Sequence, residues 1–102
     1  MLQLRPNCEY CDIDLPAHAP DAMICTYECT FCADCAQNIL RNVCPNCGGG
    51  FERRPIRPKT AHRPGVGLAH APASDKRVRL KHDRRALGDF VEKLRHIPPR
   101  ER

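Results

Sequence analysis

Cys25-Thr26-Tyr27-Glu28-Cys29-Thr30-Phe31-Cys32-Ala33-Asp34-Cys35 decides the fold class of this chain. It runs two cysteine pairs together without a linker. One further pair stands on each side, Cys8/Cys11 and Cys44/Cys47, so all 8 cysteines fall in the first half and none follows Cys47. Three of the four pairs are Cys-x-x-Cys. A turn of that length sets two sulfurs on one side of a tight loop, a half-site for a tetrahedral ion with Zn–S bonds of about 2.3 Å. Eight thiols complete two four-sulfur sites, the stoichiometry of two Zn2+ ions per chain. Cys44-Pro45-Asn46-Cys47-Gly48 is the most telling pair: proline fixes the turn and glycine permits a left-handed residue after it.

The length of 102 residues allows one small domain with an extension. Large apolar side chains in residues 1–50 are scattered: Leu2, Leu4, Ile13, Leu15, Met23, Ile24, Phe31, Ile39, Leu40 and Val43, with no Trp. Burial of so few groups does not outweigh the ordering entropy of the segment, which therefore needs staples. The opening Met1-Leu2-Gln3-Leu4-Arg5-Pro6 lacks the apolar core of a signal peptide, and no run is long enough to span a membrane. A cytoplasmic chain is expected on that basis. In a reducing compartment, closely spaced cysteines point to metal ahead of disulfides.

Charge divides the chain. In residues 1–50, Arg5 and Arg41 face six acids, a net of −4; residues 51–102 carry fifteen Lys and Arg against six acids, a net of +9. The overall +5 counts the cysteines as neutral. Two ions, each held by four thiolates and each carrying −2, would bring the total to about +1. An acidic metal module with a basic tail is the expected arrangement.

Three segments follow from composition: a two-zinc module over 1–50, closed by Gly48-Gly49-Gly50; a Pro-rich basic linker over 51–76, expected to be extended or without fixed structure; and a basic segment over 77–102. Arg77-Val78-Arg79-Leu80-Lys81-His82 alternates as a strand does. One helix is predicted over about 83–96, with Asp83 as its cap, Pro98-Pro99 as its stop and an Asp89/Lys93 pair on its surface. Leu87, Phe90, Val91 and Leu94 make its apolar stripe, expected to dock on the chain's own module first, or else on a protein partner, a second copy or a membrane surface. The basic runs Arg53, Arg54, Arg57, Lys59, Arg63 and Lys76, Arg77, Arg79, Lys81, Arg84, Arg85 suit either nucleic acid or a return onto the acidic module. Few aromatic residues accompany them for base stacking.

The spacing leaves two ways of pairing half-sites. Sequential pairing joins Cys8, Cys11, Cys25 and Cys29, then the remaining four; interleaved pairing joins Cys8, Cys11, Cys32 and Cys35, and Cys25, Cys29, Cys44 and Cys47. The order of the eight ligands resembles a RING finger, including Cys29-Thr30-Phe31-Cys32-Ala33-Asp34-Cys35, where that family usually opens with His, and Cys44-Pro45-Asn46-Cys47 as its last pair. The resemblance implies a cross-brace, hence interleaved pairing, in a small metal-stabilised α+β fold. A closer resemblance, carried by Leu4-Arg5-Pro6-Asn7-Cys8-Glu9-Tyr10-Cys11, by Cys25 to Cys35, by Val43-Cys44-Pro45-Asn46-Cys47-Gly48-Gly49 and by Ile97-Pro98-Pro99-Arg100, is to the domain of unknown function 1272 family. It implies a bacterial cytosolic zinc-binding protein and no established activity.

Departures from RING ligases argue against ubiquitin transfer: Tyr10 between the first cysteines, Leu40 where many ligases carry Trp, and Gly48 directly after the last cysteine. Four cysteines close the coordination sphere, whereas catalytic zinc keeps an open position, so no catalytic residue is assigned and His18 is read as a solvated loop residue. The expected role is structural zinc serving interaction. The alternatives are a nucleic-acid-associated zinc protein using the tail and an iron–sulfur or rubredoxin-like electron carrier.

Overall fold

The cysteine-rich half is built around a hairpin whose strands are three residues long. In the computed structural model, which describes residues 1–102, β1 (Ala22–Ile24) pairs antiparallel with β2 (Thr30–Cys32), setting Ala22 opposite Cys32, Met23 opposite Phe31 and Ile24 opposite Thr30. β3 (Glu52–Arg53) adds to the other side of β1, giving the order β2-β1-β3. The second cysteine pair closes the hairpin: Cys25 N–H donates to the Cys29 carbonyl at 3.2 Å while Glu28 takes a left-handed φ of 67°. β2 is buried along its whole length. An extended strand rises about 3.3 Å per residue, so β2 holds Cys29 and Cys32 roughly 10 Å apart although their pairs abut in sequence.

After β2 the chain makes a single π-type turn, Cys35–Ile39, and reverses through Arg41 and Asn42, both left-handed with φ of 50° and 62°. Asn tolerates that conformation better than most residues. Its side chain is also used, since Asn42 Oδ1 accepts from Phe51 N–H at 2.8 Å. Phe51 then packs edge-on against Phe31, with ring centroids 5.3 Å apart and an interplanar angle of 61°. Leu15, Leu40 and Val43 surround this pair, and six of the cysteines are buried with them. Only 24 of 102 residues are buried, a thin core in which the cysteines make up a large share.

The helix is α1 (Arg84–Leu94), capped by the Asp83 carboxylate accepting from Ala86 N–H at 3.2 Å. It ends two residues earlier than its periodicity suggests, where the chain turns before Pro98. Its surface ion pair joins Glu92 to Arg95, with His96 Nε2 also 3.3 Å from the Glu92 carboxylate, and not Asp89 to Lys93. Leu87 and Val91 are buried in the module's core, Leu94 is partly buried, and Phe90 stays 36% exposed. The apolar stripe therefore docks largely on its own chain. No helix is long and apolar enough to cross a membrane.

Beyond Gly50 the chain is more ordered than its composition suggests. Phe51 and Arg54 are buried and β3 completes the sheet. The Pro-rich stretch folds on itself because the Arg57 guanidinium grips two carbonyls, Ala71 at 2.8 Å and Leu2 at 2.7 Å. Residues 77–82 form no strand ladder. An Asn7 side chain takes the place of a neighbouring strand there, its amide donating to the Val78 carbonyl at 2.8 Å and its Oδ1 accepting from Val78 N–H at 3.2 Å.

Candidate metal centre

The sulfurs gather in two groups. Those of Cys8, Cys11, Cys32 and Cys35 all lie within 4.8 Å of one another, as do those of Cys25, Cys44 and Cys47. Cys29 stands at the edge of the second group, near the sulfurs of Cys44 and Cys25, with its own sulfur bonded by the Asn46 amide at 3.3 Å. The grouping is thus the interleaved one, each centre drawing on pairs from both ends of the module. Two contacts of the first loop with β2 place it so: Glu9 N–H donates to the Thr30 carbonyl at 2.9 Å, and Thr30 N–H donates to the Glu9 carboxylate at 2.5 Å. Residues 8–11 are thereby laid along β2, toward Cys32.

The geometry suits a tetrahedral ion. Cys11 and Cys32 sulfurs are 3.8 Å apart, and a tetrahedron with Zn–S bonds of about 2.3 Å has an edge of about 3.8 Å. All eight cysteines are free thiols.

The first and last pairs share one local design. After Cys11, Asp12 is left-handed with φ 66°; after Cys47, Gly48 is left-handed with φ 80°. Asp12 N–H returns to the Cys8 carbonyl at 2.8 Å, and Gly48 N–H returns to the Cys44 carbonyl at 2.7 Å. A backbone amide then faces the last sulfur: Gly49 N–H bonds Cys47 at 3.4 Å. The Cys25–Cys29 turn does the same through Tyr27 N–H, 3.3 Å from the Cys25 sulfur. Amides aimed at sulfur favour its ionised form, the form that binds metal.

Charge on the sulfurs is unevenly supported. A hydrogen bond from Cys44, with further bonds from Asn46 and Cys25, pulls the Cys29 thiol down to about 5. Burial pushes Cys25 up to about 11 and raises Cys32 and Cys35. Cys44 is raised by sharing its hydrogen bond with ionised Cys29 and by burial. Burial opposes ionisation of Cys11 too, yet the Ile13 amide and the neighbouring sulfurs outweigh it and lower that thiol. So many crowded, buried sulfurs cannot all ionise unless a cation sits among them.

Residues outside the cysteines brace the two centres, and the tail supplies many of them. Arg77 bonds Asp14 at 2.7 Å and Asp12 at 3.0 Å, with Arg79 adding Asp12 at 3.2 Å. Leu80 N–H donates to the Glu9 carbonyl at 2.9 Å. Arg84 lies 4.2 Å over the Tyr10 ring. At the other end, Arg102 donates to the carbonyls of Asn42 at 2.7 Å and Gly48 at 3.0 Å. Leu94 and Phe90 cover Gly48, where a Cβ would come within 3.1 Å of Leu94 Cδ1. Asn46 donates to the Cys29 sulfur at 3.3 Å and meets His82 Nε2 at 2.7 Å. Asn7, Glu9, Asn46, His82 and Arg54 escaped the pattern reading, since nothing local marks them. His18 is exposed and joins neither sulfur group.

The family model described as "Protein of unknown function (DUF1272)" matches residues 1–57, which take in all eight cysteines, Phe51, β3 and Arg54. An uncharacterised protein of Rhizobium meliloti (strain 1021) is 58% identical over 78 residues, covering 76% of this chain and 86% of the relative. No solved structure matches the chain. With its cysteine module matched from end to end, this chain belongs to the protein family of unknown function DUF1272.

Proposed function

We propose that the chain is a cytosolic zinc protein, with two structural Zn2+ ions holding a small module whose role is interaction and which catalyses no reaction itself. The observation that carries this reading is the interleaved pair of sulfur groups, with its 3.8 Å sulfur–sulfur edge. Cys8, Cys11, Cys32 and Cys35 would hold one ion; Cys25, Cys29, Cys44 and Cys47 would hold the other. A fully closed sulfur sphere supplies folding energy and no reactive position. Zinc binding free energy would then be folding free energy, on the order of 10 kcal/mol per site.

Three positions a RING ligase would turn outward are occupied by the chain itself: Leu40 is fully buried, Tyr10 lies under Arg84, and Gly48 lies under α1. That supports a role other than ubiquitin transfer. For protein contact the candidate surface flanks Asn46, where one recess is lined by Tyr27 and Cys47 and another by Pro45, Leu87 and Phe90. Tyr27 is 72% exposed there. Nucleic acid is the weaker reading, because Arg54, Arg57 and Arg102 are used on carbonyls and Arg77 and Arg79 on Asp12 and Asp14.

Elemental analysis of protein purified without added metal tests the core of the reading. Two zinc per chain with no visible colour, and one ion lost with cooperative melting abolished in Cys32→Ser, is the expected result. Iron with visible absorption would make the chain an electron carrier, and a metal-free folded chain would overturn any structural role for the ion.

A further inference from the structure

The second sulfur centre is built less symmetrically than the first. Cys25, Cys44 and Cys47 gather within 4.8 Å of one another and Cys29 does not join them fully. Its sulfur is instead held by a side chain. Asn46 Nδ2 donates to Cys29 Sγ at 3.3 Å. With the amide nitrogen facing sulfur, the amide oxygen faces the tail, and His82 Nε2 meets it at 2.7 Å. An amide oxygen only accepts, so His82 carries its proton on Nε2 and donates. The chain of donors runs one way, from imidazole N–H through the amide to the sulfur, and each bond polarises the next.

We infer that Asn46 and His82 are positioning residues for the second metal: they hold Cys29 in place as its fourth ligand and slow that ion's release. This rests on the two-metal reading above. Donor groups behind a metal ligand fix its orientation and its basicity, and their loss typically costs about 10–100-fold in metal affinity. At the first centre the tail touches the loop around the cysteines but no tail side chain bonds a sulfur, and Cys8, Cys11, Cys32 and Cys35 are already in mutual reach. His82 lies in the tail, directly before the Asp83 cap of α1. Retention of the second ion and docking of the tail therefore favour each other, and such coupling is reciprocal.

The test is zinc transfer from the full-length, zinc-loaded chain to a chromogenic chelator. Wild type should release its ions in two phases, the second centre's being assigned as the one whose rate changes in Cys47→His, which keeps four metal-binding side chains at that centre. Asn46→Asp keeps the side chain's shape but sets a carboxylate oxygen where the donor was, facing the thiolate. It should speed the second-centre phase by about ten-fold and leave the first unchanged. His82→Ala should speed the same phase by less, and the double variant should be no faster than Asn46→Asp alone. In cobalt-loaded protein the thiolate-to-metal charge-transfer band should shift in Asn46→Asp, which a purely structural defect would not produce at unchanged stoichiometry. Acceleration of both phases alike, or of neither, overturns the inference while the two-metal reading stands. A wild-type chain that binds no metal overturns that reading itself.

Discussion

Arg54 is the least expected member of the core, and replacing it with methionine isolates what its charge does. The residue is 1% exposed, and its guanidinium donates to the carbonyls of Arg5 at 2.8 Å, Pro16 at 3.0 Å and Leu15 at 3.3 Å. No acid shares the site, and burial alone lowers its pKa. Arg54→Met keeps most of the apolar stem and removes the donors. Pro16 would keep the Ala19 N–H at 2.9 Å, but the Arg5 and Leu15 carbonyls would have no other protein donor. A buried orphan carbonyl costs about 1–3 kcal/mol, borne in full at Leu15 and in part at half-buried Arg5. Against this, removing an unpaired buried cation returns part of its desolvation cost. The net expectation is a loss of about 1–3 kcal/mol, with carbonyl satisfaction outweighing relief of burial. Denaturant unfolding at one fixed, saturating free zinc concentration measures it without changing the metal linkage. Arg53→Met, at the exposed neighbour in β3, should stay within about 0.5 kcal/mol of wild type. An Arg54→Met chain as stable as wild type, or losses equal at both positions, would refute the reasoning.

Two further substitutions address the ends of the tail. Gly48→Ala forces a side chain into φ 80° and sets its Cβ 3.1 Å from Leu94 Cδ1, so a loss of about 1–2 kcal/mol is expected, with α1 melting before the core in far-ultraviolet circular dichroism. No change in helix melting would show that α1 does not rest on this knuckle. Asn7→Ala removes the side chain that replaces a strand for Val78 and also bonds Asp12 at 3.0 Å, and should cost about 2–3 kcal/mol. Hydrogen exchange at the Val78 amide should rise with it, and unchanged protection there would contradict the clamp.

What the sequence discloses here follows interaction range. The cysteine spacing marks the candidate sulfur ligands, and a 3.6-residue stripe with Asp83 before it marks α1, because both are local patterns. The pairing of half-sites was open on spacing alone; it is decided by how β2 separates Cys29 from Cys32 and by Glu9 reaching Thr30, contacts between segments far apart in sequence. Arg54 and Arg57 look like solvated charge among Arg53, Lys59 and Arg63, since nothing near them shows that backbone carbonyls 38 to 55 residues away will receive their donors. Asn7 is equally silent, with its partner 71 residues along the chain.

These long-range contacts change what the uneven charge means. A basic tail on an acidic module suggests two bodies joined by a linker, and the contacts describe one body. Arg77 meets Asp12 beside the first cysteine pair, Arg84 covers Tyr10 within it, and Arg102 reaches Gly48 beside the last. Any one exposed ion pair contributes little. Their combined effect depends on the field they face, and metal loading would change that field. Neutral thiols add nothing to the module's acids, whereas each Zn2+ with four thiolates adds −2. Loading both centres would thus make the module more attractive to the tail that braces it. By the same linkage the docked tail would favour the loaded state, so that metal content and tail position would respond to one another.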